Sequence, residues 1–246
     1  MNTLKKLYDK SKIGFAVVWI VAYCVLMSVG DLLSTRIGID KSVTLAIGIV
    51  LSATLLLFLK KNGLLSNYGL CAPKAPARSM LYYLPILVML SANLWYGVTL
   101  NVGVPEAVLY ILSMLCVGFL EEMIFRGLLF EAMRKDNVKT AILVSSVTFG
   151  IGHIINLING SGADLLSNLL QVVYATAAGF MFVMMYDRSK SLLVCIAAHG
   201  AFNALSVFAN EVSTTPKMQT VSAILLTVIT GSYALYLALS MRRKTE

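Results

Sequence analysis

Residues 105–131 read PEAVLYILSMLCVGFLEEMIFRGLLFE. At about 1.5 Å of rise per residue this apolar run is long enough to cross the ~30 Å hydrocarbon core of a bilayer as one helix. Glu121, Glu122 and Arg126 stand inside it rather than at its ends. Either the run is no membrane helix, or it carries two acids and a guanidinium into the membrane for a purpose. The rest of the chain decides between these.

Of 246 residues, 58% are apolar and 13% charged, with a mean hydropathy of +0.81. A soluble domain carries about 25% charge, so a water-facing surface cannot be built from this allowance. Free cytosolic enzymes, disordered chains, collagens and disulfide scaffolds are excluded. Runs bounded by charge, Gly or Pro predict about eight transmembrane helices, at 13–33, 42–59, 80–100, 105–131, 139–158, 164–186, 191–209 and 218–241. The expected class is all-α and polytopic, with residues 1–246 forming a single integral membrane domain. Residues 60–79, with Gly63, Gly69, Pro73 and Pro76, are too broken to span, although Leu64–Leu70 suits an interface. Pro85 is expected to bend the third helix.

The net charge of +8 follows topology. With both termini cytoplasmic, alternate loops place 16 Lys and Arg inside and three, Arg36, Lys41 and Lys217, outside, the asymmetry expected of short cytoplasmic loops. The loop 209–217 is then external. No nucleic-acid partner is needed to explain the basic residues, whereas the lipid bilayer and its anionic headgroups are natural partners. The first apolar run continues to about Leu33, beyond a signal-peptide core of about 7–15 residues, and is expected to be retained. Cys24, Cys71, Cys116 and Cys195 form no C-x-x-C pair and suit buried thiols.

Ionisable groups inside a membrane are functional suspects. Besides the acids of span four, the two histidines of the chain, His153 and His199, fall in spans five and seven. Counted from the cytoplasmic ends, Glu121, His153 and His199 lie roughly 15, 21 and 12 Å deep, so the three can meet in the cytoplasmic half of the bilayer. Glu122 and Arg126 are i and i+4 with the acid first, the favourable order for an intrahelical ion pair. Glu121 is turned about 100° from Glu122 and faces another helix. His199 shares a face with Asn203, and Phe149 with His153. Gly150 and Gly152 permit close helix approach.

Serine-hydrolase and zincin signatures are missing. Asp164 and Asp187 flank span six about 34 Å apart by rise and cannot share a proton. Cys195 lies one turn before His199 but in apolar surroundings. What remains is a glutamate, two histidines and an asparagine. A carboxylate can act as general base on a water held by a histidine, and imidazole and amide N–H groups can receive a developing oxyanion. The same Glu and His could instead hold zinc with an open fourth position, and the residues alone leave both open.

In this order and on separate helices, Glu121-Glu122-x-x-x-Arg126, Phe149-x-x-x-His153 and His199-x-x-x-Asn203 resemble the three motifs of the CAAX protease and bacteriocin-processing (CPBP, or Abi) family, over residues 105–209. The resemblance implies an intramembrane glutamate endopeptidase with its active site between spans four, five and seven. By motif, Glu121 is the expected general base, His153 its partner in activating water, and His199 with Asn203 the oxyanion site, supported by Glu122 and Arg126. It implies no cofactor, with zinc reserved for the metalloprotease alternative. The expected substrate is a membrane-associated or lipid-anchored peptide or protein reached from the cytoplasmic side of a prokaryotic cell membrane. The alternative from another class is a non-catalytic immunity or scaffold protein. Asn156, one turn beyond His153, either lines the same cavity or serves as a packing hydrogen bond.

Overall fold

The computed structural model describes residues 2–158, 164–210 and 212–242. Glu211 of the expected external loop and the basic residues Arg243 and Lys244 lie outside them. Among the described residues the fold is helical, with one isolated bridge between Val98 and Ala209. Helix α1 (Asn2–Lys10) leads into α2 (Lys12–Ile37) and α3 (Ser42–Lys61); α4 (Leu84–Ser91) is short; α5 (Val104–Glu121) continues without a break through a π-helical stretch, Glu122–Phe130, into α6 (Glu131–Met133). There follow α7 (Val138–Gly152), the single turn α8 (Ile155–Ile158), α9 (Leu165–Ser189), α10 (Leu193–Leu205) and α11 (Pro216–Arg242).

Among the described residues six helices are long and apolar enough to cross a membrane: Lys12–Ile37, Ser42–Lys61, Val104–Met133, Val138–Leu157, Leu165–Ser189 and Pro216–Ser240. Val17, Val21, Val25, Leu56 and Leu57 are among many large apolar side chains left on the outer surface, which water would penalise and lipid does not. The count of eight is thereby corrected. The seventh predicted span is the shorter apolar helix Leu193–Phe208, and residues 80–100 form no continuous helix. Pro85 does not bend a long helix; it stands in the first turn of α4, after Leu81, Tyr82 and Tyr83 with positive φ, where its missing N–H costs nothing.

Both short segments nevertheless connect the same two levels. At one level, Lys74 N–H donates to the Ser189 carbonyl and Leu192 N–H to that of Gly69. At the other, Thr99 N–H donates to the Phe208 carbonyl and Asn101 Nδ2 to that of Ala209. The alternation of loops therefore survives the loss of two full spans. Residues 64–70 do not lie flat. Tyr68 is buried, and its hydroxyl donates to that of Tyr8 at 2.9 Å. Tyr8 in turn packs edge-on against Phe15 and Phe58, docking the amphipathic α1 under the bundle.

Two glycines let the motif helices touch. A Cβ on Gly118 of α5 would lie 2.5 Å from the backbone nitrogen of Gly200 on α10, and one on Gly150 of α7 would lie 2.8 Å from Cα of Thr176 on α9. Gly152 has nothing within 4 Å of such a Cβ, so of the two glycines expected to allow close approach only Gly150 does so. Gly118→Ala should therefore force two backbones apart, at roughly the 1–3 kcal/mol typical of overpacking, and lower the thermal midpoint of the purified protein. Gly152→Ala should leave that midpoint unchanged. Scanning fluorimetry of both variants is the check, and equal midpoints would refute the crossing.

Candidate active site

The close α5–α10 crossing sets His199 against both acids. Its Nε2 lies 3.4 Å from Glu121 Oε2 and its Nδ1 2.8 Å from Glu122 Oε1. A regular α-helix turns adjacent side chains about 100° apart. Here the switch to i→i+5 hydrogen bonding begins at Glu122, and both carboxylates reach one imidazole. Such π-helical stretches recur at functional sites. The expected pairing is present: Arg126 Nη1 contacts Glu122 Oε1 at 3.0 Å, with both side chains inaccessible to solvent. The guanidinium carbon stands 4.0 Å from the centroid of the Phe149 ring and 5.5 Å from that of Phe182, an attraction that strengthens once the cation is desolvated.

Glu121 differs from its neighbour in being partly open, with its side chain 14% exposed. The Tyr23 hydroxyl donates to its Oε1 at 2.7 Å. Tyr23 was missed by sequence reasoning, because a tyrosine in an apolar run gives no sign of its partner 98 residues away. His153 caps α7, and its Nδ1 donates to the Phe149 carbonyl at 3.1 Å, since a carbonyl can only accept. That fixes the neutral tautomer and leaves Nε2 as an acceptor. Phe149 packs edge-on against both His153 and His199, and Phe182 stacks on His199.

These groups meet at a cavity of about 580 Å³. Tyr110, Met114, Val117 and Glu121 line it in a stripe along α5 at helical spacing, and Tyr23, Met27, Ser28 and Asp31 along α2. His153, Asn156, Gln171, Tyr174, Phe202 and Asn203 complete the wall. Asn203 thus lines the same cavity as Glu121 and His153. Asn156 has both of its expected roles, lining the cavity while its Nδ2 donates to Gln171 Oε1 at 3.0 Å. His199 is largely buried with a carboxylate at each nitrogen, and it lines a small adjoining cavity of about 60 Å³ that shares His153 and Asn203. Cys195 is fully buried and its thiol points to the Phe182 carbonyl, away from the imidazole.

The cavity runs from Glu121 toward the α2–α3 turn, where Lys41 Nζ pairs with Asp31 Oδ1 at 2.7 Å. On the other side of Glu121, every residue from Glu122 to Phe130 is buried. The lining thus extends away from the face that carries the termini, whereas access from that face is the expectation from depth alone. Glu121 and His153 line one cavity and His199 contacts Glu121, while the buried stretch Glu122–Phe130 lies between Glu121 and that face. Among the described residues no three His, Cys, Asp or Glu side chains are gathered as ligands for a metal ion.

Residues 103–205, which hold all of these motif residues, match the family model described as type II CAAX prenyl endopeptidase Rce1-like. A Bacillus subtilis (strain 168) protein named "Putative membrane peptidase YdiL" is 41% identical over 98 residues, which is 39% of this chain and 35% of that relative. The chain thus spans about a third of the length of the curated relative it matches. Both similarities support the CPBP family that the three motifs resemble, over that motif-bearing segment.

Proposed function

We propose that this chain is an intramembrane endopeptidase that hydrolyses a peptide bond of a membrane-associated peptide or protein with a water activated by Glu121. The observation that supports it most is the placing of Glu121, its carboxylate held by Tyr23 and His199 while one edge opens on a cavity shared with His153 and Asn203. A water between Glu121 and His153 Nε2 would donate one hydrogen to each. As its oxygen attacks the substrate carbonyl, its proton passes to Glu121. The developing oxyanion falls to the Asn203 amide, the polar donor that the third motif leaves on the cavity wall. Collapse of the tetrahedral intermediate breaks the C–N bond, and Glu121 returns the proton to the leaving amine. Hydrogen and charge balance without a covalent enzyme intermediate.

In this reading His199 acts on Glu121 rather than on substrate. With its Nδ1–H given to Glu122, a second proton on Nε2 makes an imidazolium facing Glu121. Together with Arg126 it balances the two carboxylates, which low-dielectric surroundings otherwise penalise heavily. The experiment is cleavage of membrane-anchored peptides by the purified protein in liposomes, with products identified by mass. Cleavage is expected to resist reagents against serine and cysteine nucleophiles. It is also expected to continue at an unchanged rate, within about twofold, after treatment with a zinc chelator, because His199 turns its Nε2 to Glu121 and leaves the cavity a single free imidazole nitrogen, Nε2 of His153, fewer protein ligands than a catalytic zinc takes. Loss of activity on chelation, restored by stoichiometric zinc, would replace this mechanism with the metalloprotease one.

A further inference from the structure

Two independent asymmetries of the molecule fall on opposite faces. The basic one comes from the sequence: 16 of the 20 Lys and Arg lie in the segments that share a face with the termini, and three, Arg36, Lys41 and Lys217, in the loops of the other face. Short cytoplasmic loops carry such an excess. The correction of the span count does not disturb it, because residues 77–97 and 193–208 still link the two levels.

The second asymmetry is the cavity. On the side of the basic face the lining stops at Phe125 and at Phe149, which packs on it and on Arg126. From Glu121 the wall climbs through Val117 and Tyr110 on α5, and through Met27 and Ser28 on α2, to the paired Asp31 and Lys41 in the turn of the non-basic face. Below Glu121 the way is closed by the π-helical stretch, where Glu122, Arg126 and Phe130 have no solvent exposure. Water and a polypeptide can reach the carboxylate along the first route and not along the second.

From these two we infer that the catalytic cavity opens on the extracytoplasmic face of the membrane, and that the substrate is a peptide segment presented there, on an exported peptide or on the outer juxtamembrane stretch of a membrane protein. The substrate class rests on the proposed protease activity; the direction of opening does not. The wall suits such a segment. Asn93, Asn156, Gln171 and Asn203 offer both amide donors and acceptors to an extended backbone, and Met27, Met114 and Phe202 offer apolar contact for its side chains. The ion pair at the mouth keeps that entrance wetted. Cleavage there would follow translocation, so a translocation step must supply the substrate.

The test is labelling with a membrane-impermeant maleimide, applied to spheroplasts and to inverted vesicles of a bacterial expression host. Ser28→Cys places a thiol on the cavity wall and Lys135→Cys one on the exposed basic face. Peptide mass spectrometry locates the label, so the native cysteines stay. Ser28→Cys should be labelled at least about tenfold more in spheroplasts than in inverted vesicles, and Lys135→Cys the reverse. If both preferences are exchanged, the orientation is wrong. If both thiols react from the same side, the cavity opens on the basic face. If the wall thiol reacts from neither side while Asp31→Cys at the exposed mouth also stays unlabelled, there is no outward passage. Each of these overturns the inference, and none depends on activity. A membrane-anchored reporter carrying its cleavable segment on one face or the other then tests the substrate class: cleavage of the outward reporter alone is expected, and cleavage of the inward one alone would overturn it.

Discussion

Glu121→Gln is expected to abolish peptide cleavage while the protein inserts, purifies and stays monodisperse as the wild type does. The amide matches the carboxylate in size, so its oxygen can accept from His199 Nε2–H where the carboxylate stands at 3.4 Å, and its nitrogen can donate to the Tyr23 hydroxyl oxygen. What the amide cannot do is take a proton from water. Loss of a positioned general base costs about 10²–10⁴-fold, and here the same group returns the proton to the leaving amine, so both halves of the reaction are affected. Turnover per folded molecule, measured by product mass with folded protein quantified by size exclusion, is the deciding quantity. Equal turnover of the variant and the wild type would sink the mechanism and favour the scaffold alternative. An unstable variant would instead show that Glu121 holds the helices together.

The site was legible in the sequence to the extent that its geometry is local to one helix or marked by rare residues. Glu122 and Arg126 pair at i and i+4 as their spacing requires. His153 and His199 attract notice because ionisable groups are costly in a membrane. The two groups that hold His199 could not be read so easily, because the spacing rule assumes a regular α-helix and the chain turns π-helical at Glu122. Nothing in MIFRGLLF announces that change; neither does any local signal tie Tyr23 to Glu121. The same limit explains the span count. Hydropathy gives residues 80–100 the length of a span, but Pro85, Ser91, Asn93 and Gly97 favour bonds outside a helical ladder, some local and some to α10. Asn93 Nδ2 donates to the Phe202 carbonyl at 2.6 Å, and Trp95 Nε1 to Ser91 Oγ at 2.9 Å. The direction in which the cavity lining extends was not legible for a related reason. Depth along a helix says how far a residue lies from each face, but packing decides from which face it is open.

The second large effect separates support from chemistry at the neighbouring acid. Glu122 and Arg126 have no solvent exposure, and among the described residues Glu122 Oε2 and Arg126 Nε and Nη2 have no hydrogen-bond partner. The pair is therefore held by one short contact, by His199 Nδ1, and by the ring faces of Phe149 and Phe182. Glu122→Gln removes the charge that balances Arg126 and leaves a buried cation with an amide and two rings, a loss of roughly 3–5 kcal/mol. Against the 5–15 kcal/mol that usually separates folded from unfolded protein, that should appear as low folded yield and a lower thermal midpoint. Arg126→Met should fail in the same way by stranding the carboxylate. Because buried ion pairs exchanged whole for apolar groups of similar volume are often neutral, the double variant Glu122→Leu with Arg126→Met should recover most of the yield that either single change loses. It should not recover turnover, since His199 Nδ1 then has no acceptor and the imidazole is free to turn from Glu121. Yield and midpoint restored together with turnover would reduce Glu122 and Arg126 to packing. A Glu122→Gln variant that folds normally but does not cleave would move Glu122 from support into the reaction itself.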